Sequence, residues 1–340
     1  MTIKGFVDLQ VNGYAGVSFS STTHSLNDFR RAIQEVFKRS GCIAILVTVI
    51  TSSWKVYERN LPMLAKICCE SSRSSSSRVL GIHLEGPFIS STPGALGCHS
   101  KDFVLQPTIE RFRRLRELCA GHLKLITMAA ELKGAVEVCR DVVKSGISVS
   151  LGHQMASESE ISKMVNAGAK LATHVTNALP ELVNRHRNPI WSLLAHHELY
   201  CCIISDGEHV PPSALAAILR AKGVCRTILT SDVSPAAGLE DGEHECFGNR
   251  VRVCGHRIRS CDRDGLAGSG ALMIDCANHM ISVVSKRYDL NLSVSDIEEM
   301  TFHAPLRAIG IESSVFLSEF KGKVVSYDPF VGKFKLFNAT

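Results

Sequence analysis

The sequence lacks the features that mark membrane-spanning proteins, exported proteins and zinc fingers. Its longest apolar run, Cys42 to Ile50 with Thr48 inside it, is much shorter than the roughly 20 residues that cross a bilayer. The first ten residues contain no signal-peptide pattern. Thirteen cysteines are present, yet no two of them form a CxxC pair. This usage favours a reduced, cytoplasmic chain.

Neither sign of charge is in large excess. The 38 basic and 33 acidic residues give a net charge of +5, and the basic residues are dispersed. Nucleic-acid-binding domains usually carry a clustered basic stripe, so no nucleic-acid partner is expected, and the short apolar runs predict no membrane partner either. The mild positive charge suits an anionic small-molecule substrate.

Short, β-rich apolar runs alternate with longer amphipathic stretches along the chain. Parallel strands joined by crossover helices produce this pattern. The predicted strands are Gly5 to Val11, Cys42 to Val49, Val79 to His83, Leu123 to Met128, Ile147 to Leu151, Lys170 to His174, Cys201 to Ser205, and Arg226 to Thr230. Eight such repeats predict an α/β fold, a closed (β/α)₈ TIM-type barrel. A doubly wound open sheet is the alternative.

Two regions after the eighth strand differ from this pattern. Gly238 to Arg263 is turn-rich and shows no clear periodicity, whereas Lys321 to Phe337 alternates like two short strands. Between them, Leu272 to Lys286 and Val294 to Ile309 have helical patterns. We therefore predict a barrel over residues 1–312 and separate C-terminal strands over residues 313–340.

Polar residues follow several predicted strands, at the end where a barrel of this type carries its active site. Glu85 precedes a turn after the third strand, and His153 and His174 end or follow the fifth and sixth. Alone, each is more often structural, as a paired carboxylate or a hydrogen-bonded core histidine. Together they are a two-nitrogen, one-oxygen set that suits Zn²⁺ with a fourth position for water.

Asp232 follows the eighth strand and is placed at the same mouth of the barrel. Hydrolysis by a metal-activated water needs a base that takes a proton and later returns it to the leaving nitrogen. Asp232 is the candidate for both steps. An alternative explanation is equally good from the local sequence: Asp is a favoured N-cap residue, so Asp232 could simply cap the segment that follows it.

Several motifs occur in a consistent order along the chain. They are Gly5 to Gly13, His83-Leu84-Glu85-Gly86-Pro87-Phe88, Gly152-His153, Thr173-His174 with Asn177-Ala178, Asp206-Gly207 with His209, Ser231-Asp232, and Leu266 to Ser269. In this order they resemble the N-acetylglucosamine-6-phosphate deacetylase family of the amidohydrolase superfamily, over about residues 5 to 310. The segment from His83 to Phe88 is the most specific of them.

The resemblance implies a role for each candidate residue. Glu85, His153 and His174 would hold the metal, and Asp232 would be the catalytic acid and base, with His209 as the second catalytic residue. The substrate contacts that it implies are His99, Asn177, Ala178, Arg185, His209 and Ser269. Among these, Arg185 matches a phosphate-binding stretch, where a planar guanidinium holds two phosphate oxygens.

The first predicted strand bears on the number of metal ions. Many amidohydrolases offer His-x-His there to a second metal, but this chain has Gln10 and Asn12. Neutral amides are poor zinc ligands beside imidazole, so the resemblance implies one divalent metal ion, Zn²⁺. It also implies that the family's small β domain is largely missing at the N-terminus, since Met1 lies only a few residues before this strand.

The activity that the resemblance implies is the removal of acetate from N-acetylglucosamine-6-phosphate to give glucosamine-6-phosphate. Two alternatives stay open at this point. One is an amidohydrolase that acts on another N-acyl sugar or amino compound, and the other is a catalytically silent barrel of truncated family origin. The expected partner is a small amino sugar phosphate, and a homodimer is left open.

Overall fold

The structure, a computed structural model, describes residues 1–72, 74–262, 265–320 and 325–337. In chain order its strands are β1 (Thr2–Ile3), β2 (Phe6–Val11), β3 (Gly13–Tyr14), β4 (Val17–Ser18), β5 (Cys42–Ile50), β6 (Arg78–Glu85), β7 (Leu123–Met128), β8 (Ser148–Leu151), β9 (Leu171–Ala172), β10 (Tyr200–Ile204), β11 (Thr227–Thr230), β12 (Gly242–Cys246), β13 (Asn249–Cys254), β14 (Arg257–Ser260), β15 (Val325–Asp328) and β16 (Lys333–Leu336).

Helices connect these strands. They are α1 (Leu26–Ser40), α2 (Trp54–Ser71), α3 (Ile109–Leu118), α4 (Ala135–Lys144), α5 (Glu158–Asn166), α6 (Pro189–Ala195), α7 (Pro212–Lys222), α8 (Met273–His279), α9 (Ser285–Arg287), α10 (Val294–Glu298), α11 (Ala304–Ala308) and α12 (Ser313–Ser318). One π-helical turn joins α8 to α9 and another joins α10 to α11. Within the described residues, no helix combines the length and the apolar character that crossing a membrane requires.

The main sheet is an eight-stranded parallel barrel, with the strand order β11-β10-β9-β8-β7-β6-β5-β2. Its two ends meet where the Asn12 amide donates to the Val233 carbonyl at 3.1 Å, beside a parallel bridge between Val11 and Val233. Strands β2 and β5 are buried along their whole length, as expected for parallel strands covered on both faces. The predicted (β/α)₈ barrel is confirmed, and the open sheet is wrong.

Helix α1 illustrates how local sequence signals define the outer layer. Ser25 caps its first turn in a reciprocal arrangement with Asp28, and Gly41 ends it with a left-handed φ of 73°. The buried face of α1 packs on the barrel. Lys38 and Arg39 lie in its last turn, where positive charges interact favourably with the helix dipole.

Gly238 to Arg263 contains a sheet that sequence periodicity did not indicate. Strands β12, β13 and β14 form an antiparallel sheet. Val251, Val253 and Ile258 are buried on one face of it, while the alternate positions are exposed. The apolar alternation is confined to these few residues of short strands, which explains why the region looked like a turn-rich segment. Arg263 itself lies outside the described residues.

Two strands near the C-terminus match the predicted tail, although Lys321, where that prediction began, lies outside the described residues. Strands β15 and β16 form a hairpin, and β1 pairs with β15 on the other side. The Phe334 ring meets that of Phe6 edge-on with centroids 5.8 Å apart, and the Asn278 amide donates to the Phe334 carbonyl at 3.1 Å. The small sheet is thus anchored on the barrel, and its division from residues 1–312 stays a prediction.

A candidate metal centre and active site at the mouth of the barrel

Five acidic and imidazole side chains lie at one rim of the barrel. Glu85 is the last residue of β6, and His153, His174, Asp206 and Asp232 each follow a strand end by two residues. All five are buried. The carboxyl ends of the strands form this rim, which is where barrels of this type carry their active sites.

Glu85, His153 and His174 bring three potential ligand atoms together. Glu85 Oε1 lies 3.1 Å from His153 Nε2 and 2.9 Å from His174 Nε2, and the two Nε2 atoms are 3.1 Å apart. With Zn–N bonds of roughly 2.0–2.1 Å, ligand atoms around a tetrahedral zinc ion lie about 3.3 Å apart. The triangle therefore has nearly the size of one face of a zinc coordination shell.

The hydrogen bond on the far side of His153 decides which nitrogen faces the cluster unprotonated. Its Nδ1 lies 2.9 Å from the Ala95 carbonyl oxygen, which only accepts, so the neutral ring carries its proton on Nδ1. The lone pair of Nε2 then points at the Glu85 carboxylate. Two acceptors so close together repel each other unless a cation lies between them. The three residues fit a divalent metal.

The loop before α3 presses directly on the His153 ring. Gly97 in this loop has a left-handed φ of 61°, and a Cβ added to it would lie 3.2 Å from His153 Cε1. A larger residue would strain the backbone and push the ring. Together with the Ala95 carbonyl, this close approach fixes the orientation and tautomer of the ring, as outer contacts do for metal-binding histidines.

His99 lies beside the cluster, and its geometry suggests a second ligand set. Glu85, His99 and His153 offer ligand atoms within 4.8 Å of one another. However, the Thr51 amide donates to His99 Nδ1 at 3.4 Å, so the neutral ring carries its proton on Nε2. Burial lowers the pKa of His99 to about 3. A neutral ring with Nε2–H donates hydrogen bonds and binds no metal there, so Glu85, His153 and His174 are the better set.

Gln10 and Asn12 use their amide groups to hold the two carboxylates of the site. Gln10 Nε2 donates to Glu85 Oε1 at 2.8 Å, and Asn12 Nδ2 donates to Asp232 Oδ1 at 2.8 Å. The position that would carry His-x-His in a two-metal relative is therefore occupied by donors. This arrangement supports the expectation of a single metal ion.

The two carboxylates differ in their readiness to take a proton. Burial, followed by the negative charge of Glu85, raises the pKa of Asp232 to about 7 against the opposing charges of His174 and His209. Burial also acts to raise the pKa of Glu85, but the adjacent imidazoles of His153 and His174 outweigh it and hold this pKa well below its usual range. Glu85 therefore stays anionic, as a metal ligand has to be, and the raised pKa of Asp232 suits a group that takes and releases a proton near neutral pH.

Three of the site residues have strained backbones. His153, His174 and Asp232 have φ angles of 51°, 27° and 51°, in the left-handed region that non-glycine residues avoid at a cost on the order of 1–3 kcal/mol each. Such strain clusters at functional sites, where the surrounding structure maintains it. No sequence pattern indicated these conformations.

Asp206, His209 and Ser269 form a hydrogen-bonded group on the same rim. Asp206 Oδ2 lies 2.7 Å from His209 Nδ1, and it accepts from the Ser269 hydroxyl at 2.8 Å. Ser269, which the resemblance assigned to the substrate, is fully buried, and its hydroxyl is directed at Asp206. Its position therefore favours a supporting role for Asp206.

The residues proposed for phosphate recognition are separated in the structure. Asn177 and Ala178 line a small pocket together with His153. Arg185 lies outside this lining, exposed on the loop between β9 and α6, where its carbonyl accepts from the Trp191 indole at 2.8 Å. The structure brings Asn177 and Ala178 to the site and leaves Arg185 at the surface, so its role stays a prediction.

Asp8 is a buried carboxylate whose role the sequence reasoning missed. It accepts from Thr230 Oγ1 at 2.8 Å and from the Ser231 amide at 3.2 Å, and the Ser231 hydroxyl is a third donor. These contacts fix the chain directly before Asp232. The sequence does contain one signal for this role. Asp8, Gln10 and Asn12 alternate along the first strand, and alternate residues of a strand share a face, so Asp8 is expected on the same face as the two amides of the site.

Comparison with known proteins gives a consistent result. A deacetylase of Caenorhabditis elegans named for N-acetylglucosamine-6-phosphate is 31% identical over 320 residues, which cover 90% of this chain and 73% of that protein. An N-acetylgalactosamine-6-phosphate deacetylase of Shewanella sp. (strain ANA-3) is 31% identical over 311 residues, 90% of this chain and 74% of that protein. No protein-family model matches.

A solved structure supports the same relationship. The crystal structure of N-acetyl-D-glucosamine-6-phosphate deacetylase from Mycobacterium smegmatis has a TM-score of 0.81 at 25% identity, covering 92% of this chain and 80% of that one. A closed parallel barrel with a Glu-His-His cluster and a buried aspartate at the strand ends defines an amidohydrolase. The chain belongs to the N-acetylglucosamine-6-phosphate deacetylase family.

Proposed function

We propose that this protein hydrolyses the acetamide of N-acetylglucosamine-6-phosphate, giving acetate and glucosamine-6-phosphate, with one bound Zn²⁺. The observation that carries this proposal is the convergence of Glu85, His153 and His174 within about 3 Å of one another, in a site that also contains Asp232. Family membership supports the substrate, and the two-nitrogen, one-oxygen ligand set supports zinc.

In this proposal the metal ion is held by Glu85, His153 and His174. When bound, the ion polarises the acetamide carbonyl and activates a water molecule for attack. Gln10 keeps Glu85 in place through its 2.8 Å hydrogen bond. The Ala95 carbonyl does the same for the His153 ring at 2.9 Å.

Asp232 is proposed as the base that takes the proton of the attacking water and then returns it to the leaving nitrogen. A group that serves in both directions works best when its pKa is close to the working pH, and the pKa of Asp232 is raised to about 7. Asn12 donates to Oδ1 at 2.8 Å, which directs the remaining oxygen, Oδ2, for proton transfer.

Recognition of the sugar phosphate is proposed for the donors around this centre. His99 has an Nε2–H beside the cluster and would donate to a sugar hydroxyl. Asn177 and Ala178 would meet the phosphate in the pocket that they line, and Arg185 would reach it from the exposed loop. His209, when its ring is cationic, would donate from Nε2 to the oxygen of the reacting carbonyl.

The galacto epimer is a second candidate substrate. The relative named for N-acetylgalactosamine-6-phosphate is 31% identical to this chain, the same value as the relative named for the gluco epimer. Identity therefore does not separate the two epimers. Acetate release from both sugar phosphates and from unphosphorylated N-acetylglucosamine, by zinc-loaded protein, tests the proposal.

The expected result is release from a 6-phosphorylated sugar, with the gluco epimer preferred. Preference for the galacto epimer would change the proposed substrate to N-acetylgalactosamine-6-phosphate, while the proposed reaction, deacetylation, would stand. Protein that binds one metal ion and releases no acetate from any of the three compounds would contradict the proposal and support the silent barrel.

Replacing Arg185 with Ala should raise KM for the phosphorylated sugar by about 10-fold and leave kcat nearly unchanged. A cation that binds the phosphate equally in ground and transition states contributes to KM alone. Steady-state kinetics measure both constants. Arg187→Ala is the matched control, because Arg187 is exposed on the same loop. An unchanged KM in the Arg185 variant would remove this residue from the phosphate site.

The remaining assignments are proposals about organisation. We propose that β1, β15 and β16 are the part of the family's small β domain present in this sequence, in keeping with their joint sheet. A cytoplasmic location is proposed from the cysteines, all thirteen of which are described and free, as is usual in a reducing compartment.

A further inference from the structure

We propose that Asp206 is a positioning residue that keeps the proton of neutral His209 on Nδ1 and reserves Nε2 for the reacting amide. This inference rests on the proposed function, since it gives His209 its task in that reaction. It is carried by the hydrogen bonds of the Asp206 carboxylate, which determine the tautomer of the histidine independently of any substrate.

All the groups around Asp206 donate to it. Oδ1 accepts from the backbone amides of Glu208 and His209, each at 2.9 Å. Oδ2 accepts from the Ser269 hydroxyl at 2.8 Å and lies 2.7 Å from His209 Nδ1. An ionised carboxylate only accepts hydrogen bonds, so Nδ1 must carry a proton.

The carboxylate remains ionised under ordinary conditions. Burial acts to raise the pKa of Asp206, but the hydrogen bond and charge of His209, with the two backbone amides, outweigh it and lower this pKa to about 2. The hydrogen-bonding geometry therefore applies to the charged form of Asp206 throughout the neutral range.

The other ring nitrogen is left for the reaction. Among residues 1–72, 74–262, 265–320 and 325–337, none hydrogen-bonds to His209 Nε2, and the ring is close enough to Asp232 for its charge to lower the pKa of that residue. Because Nδ1 holds the first proton, Nε2 gains one only when the ring becomes cationic. Any hydrogen bond that Nε2 donates to the developing oxyanion is then charge-assisted, which makes it roughly twice as strong as a neutral one.

An Asp206→Asn substitution should reverse the tautomer. The two backbone amides at the Oδ1 position require an acceptor, so the amide oxygen of the new side chain would occupy that position. Its NH₂ group would then replace Oδ2 and face His209 Nδ1 as a donor. Nδ1 would have to accept, and the proton of the neutral ring would move to Nε2.

Nitrogen-15 NMR of histidine-labelled protein measures the tautomer directly, at a pH where the ring is neutral. The His209 signals are identified by their loss in His209→Gln. We expect Nδ1–H in the unmodified protein and in Ser269→Ala, which keeps the Asp206 carboxylate, and Nε2–H in Asp206→Asn. An Nε2–H tautomer in the unmodified protein overturns the proposal, even if the Asn variant does not fold.

Kinetics supply the second measurement. In zinc-loaded Asp206→Asn we expect kcat to fall roughly 10- to 100-fold, less than the 10²–10³ that loss of a whole oxyanion donor costs, with KM and bound metal unchanged. A reversed tautomer with an unchanged kcat overturns the role in positioning. If the unmodified protein releases no acetate, the proposed function fails, while NMR still decides whether Asp206 sets the tautomer.

Discussion

Replacing Asp232 with Asn should lower kcat by roughly 10²–10⁴-fold, the usual contribution of general acid–base catalysis, while bound metal stays near one equivalent. Asn keeps the size of the side chain, and its amide oxygen can still accept from Asn12 Nδ2, which donates to Asp232 Oδ1 at 2.8 Å. It also tolerates the left-handed φ of 51°. What it loses is the ability to take and return a proton.

A matched control is available in Asp289→Asn. Asp289 also has a left-handed conformation, with φ of 50°, but it is exposed and lies after α9, away from the site residues in the chain. Turnover and metal analysis on the same samples compare the two variants. Full activity in Asp232→Asn would show that another group moves the proton, whereas joint loss of metal and turnover would show that Asp232 supports the metal.

The barrel was largely predictable because buried parallel strands are continuous apolar runs. The run from Cys42 to Val49 is one example, and it corresponds to β5, which is buried along its length. The closure of the sheet into a barrel has no comparable local signal. It depends on the contact between Asn12 and Val233, residues that are distant in the chain and that carry no mark of being neighbours.

The candidate site was predictable to the extent that its residues follow strand ends. Glu85, His153, His174 and Asp232 could be selected in this way, and the structure brings them to one rim. Their protonation could not be predicted, because it is set by partners elsewhere in the chain. The Ala95 carbonyl determines the tautomer of His153, and no local pattern connects these two residues.

The same limit applies to residues with supporting roles. Ser269 was selected as a substrate contact because its motif resembles the family's, but its hydroxyl donates to Asp206 at 2.8 Å. Asp8 lies inside an apolar run, where nothing in the neighbouring sequence beyond the alternation along the strand marks its carboxylate as functional. Its donors Thr230 and Ser231 belong to the far end of the barrel sheet, and only the closed ring brings them together.

Replacing His174 with Ala should lower metal affinity and activity together. It removes one of three ligand atoms that lie within 3.1 Å of one another, and the methyl group of Ala offers no replacement. Changes in outer contacts alone cost about 10–100-fold in metal affinity, so loss of a direct ligand should cost at least about 100-fold. Metal analysis after dialysis, beside acetate release, measures both quantities.

His197→Ala is the control for this experiment, because the His197 side chain is 89% exposed and belongs to no part of the site. It should keep both metal and turnover. The comparison with Asp232→Asn then separates two tasks within one cluster: the histidine variant fails because the ion is gone, and the aspartate variant fails with the ion in place. If His174→Ala retained a full equivalent of metal, His174 would leave the ligand set, and the Nε2–H assignment of His99, whose Nε2 lies 3.8 Å from Glu85 Oε2, would have to be revised.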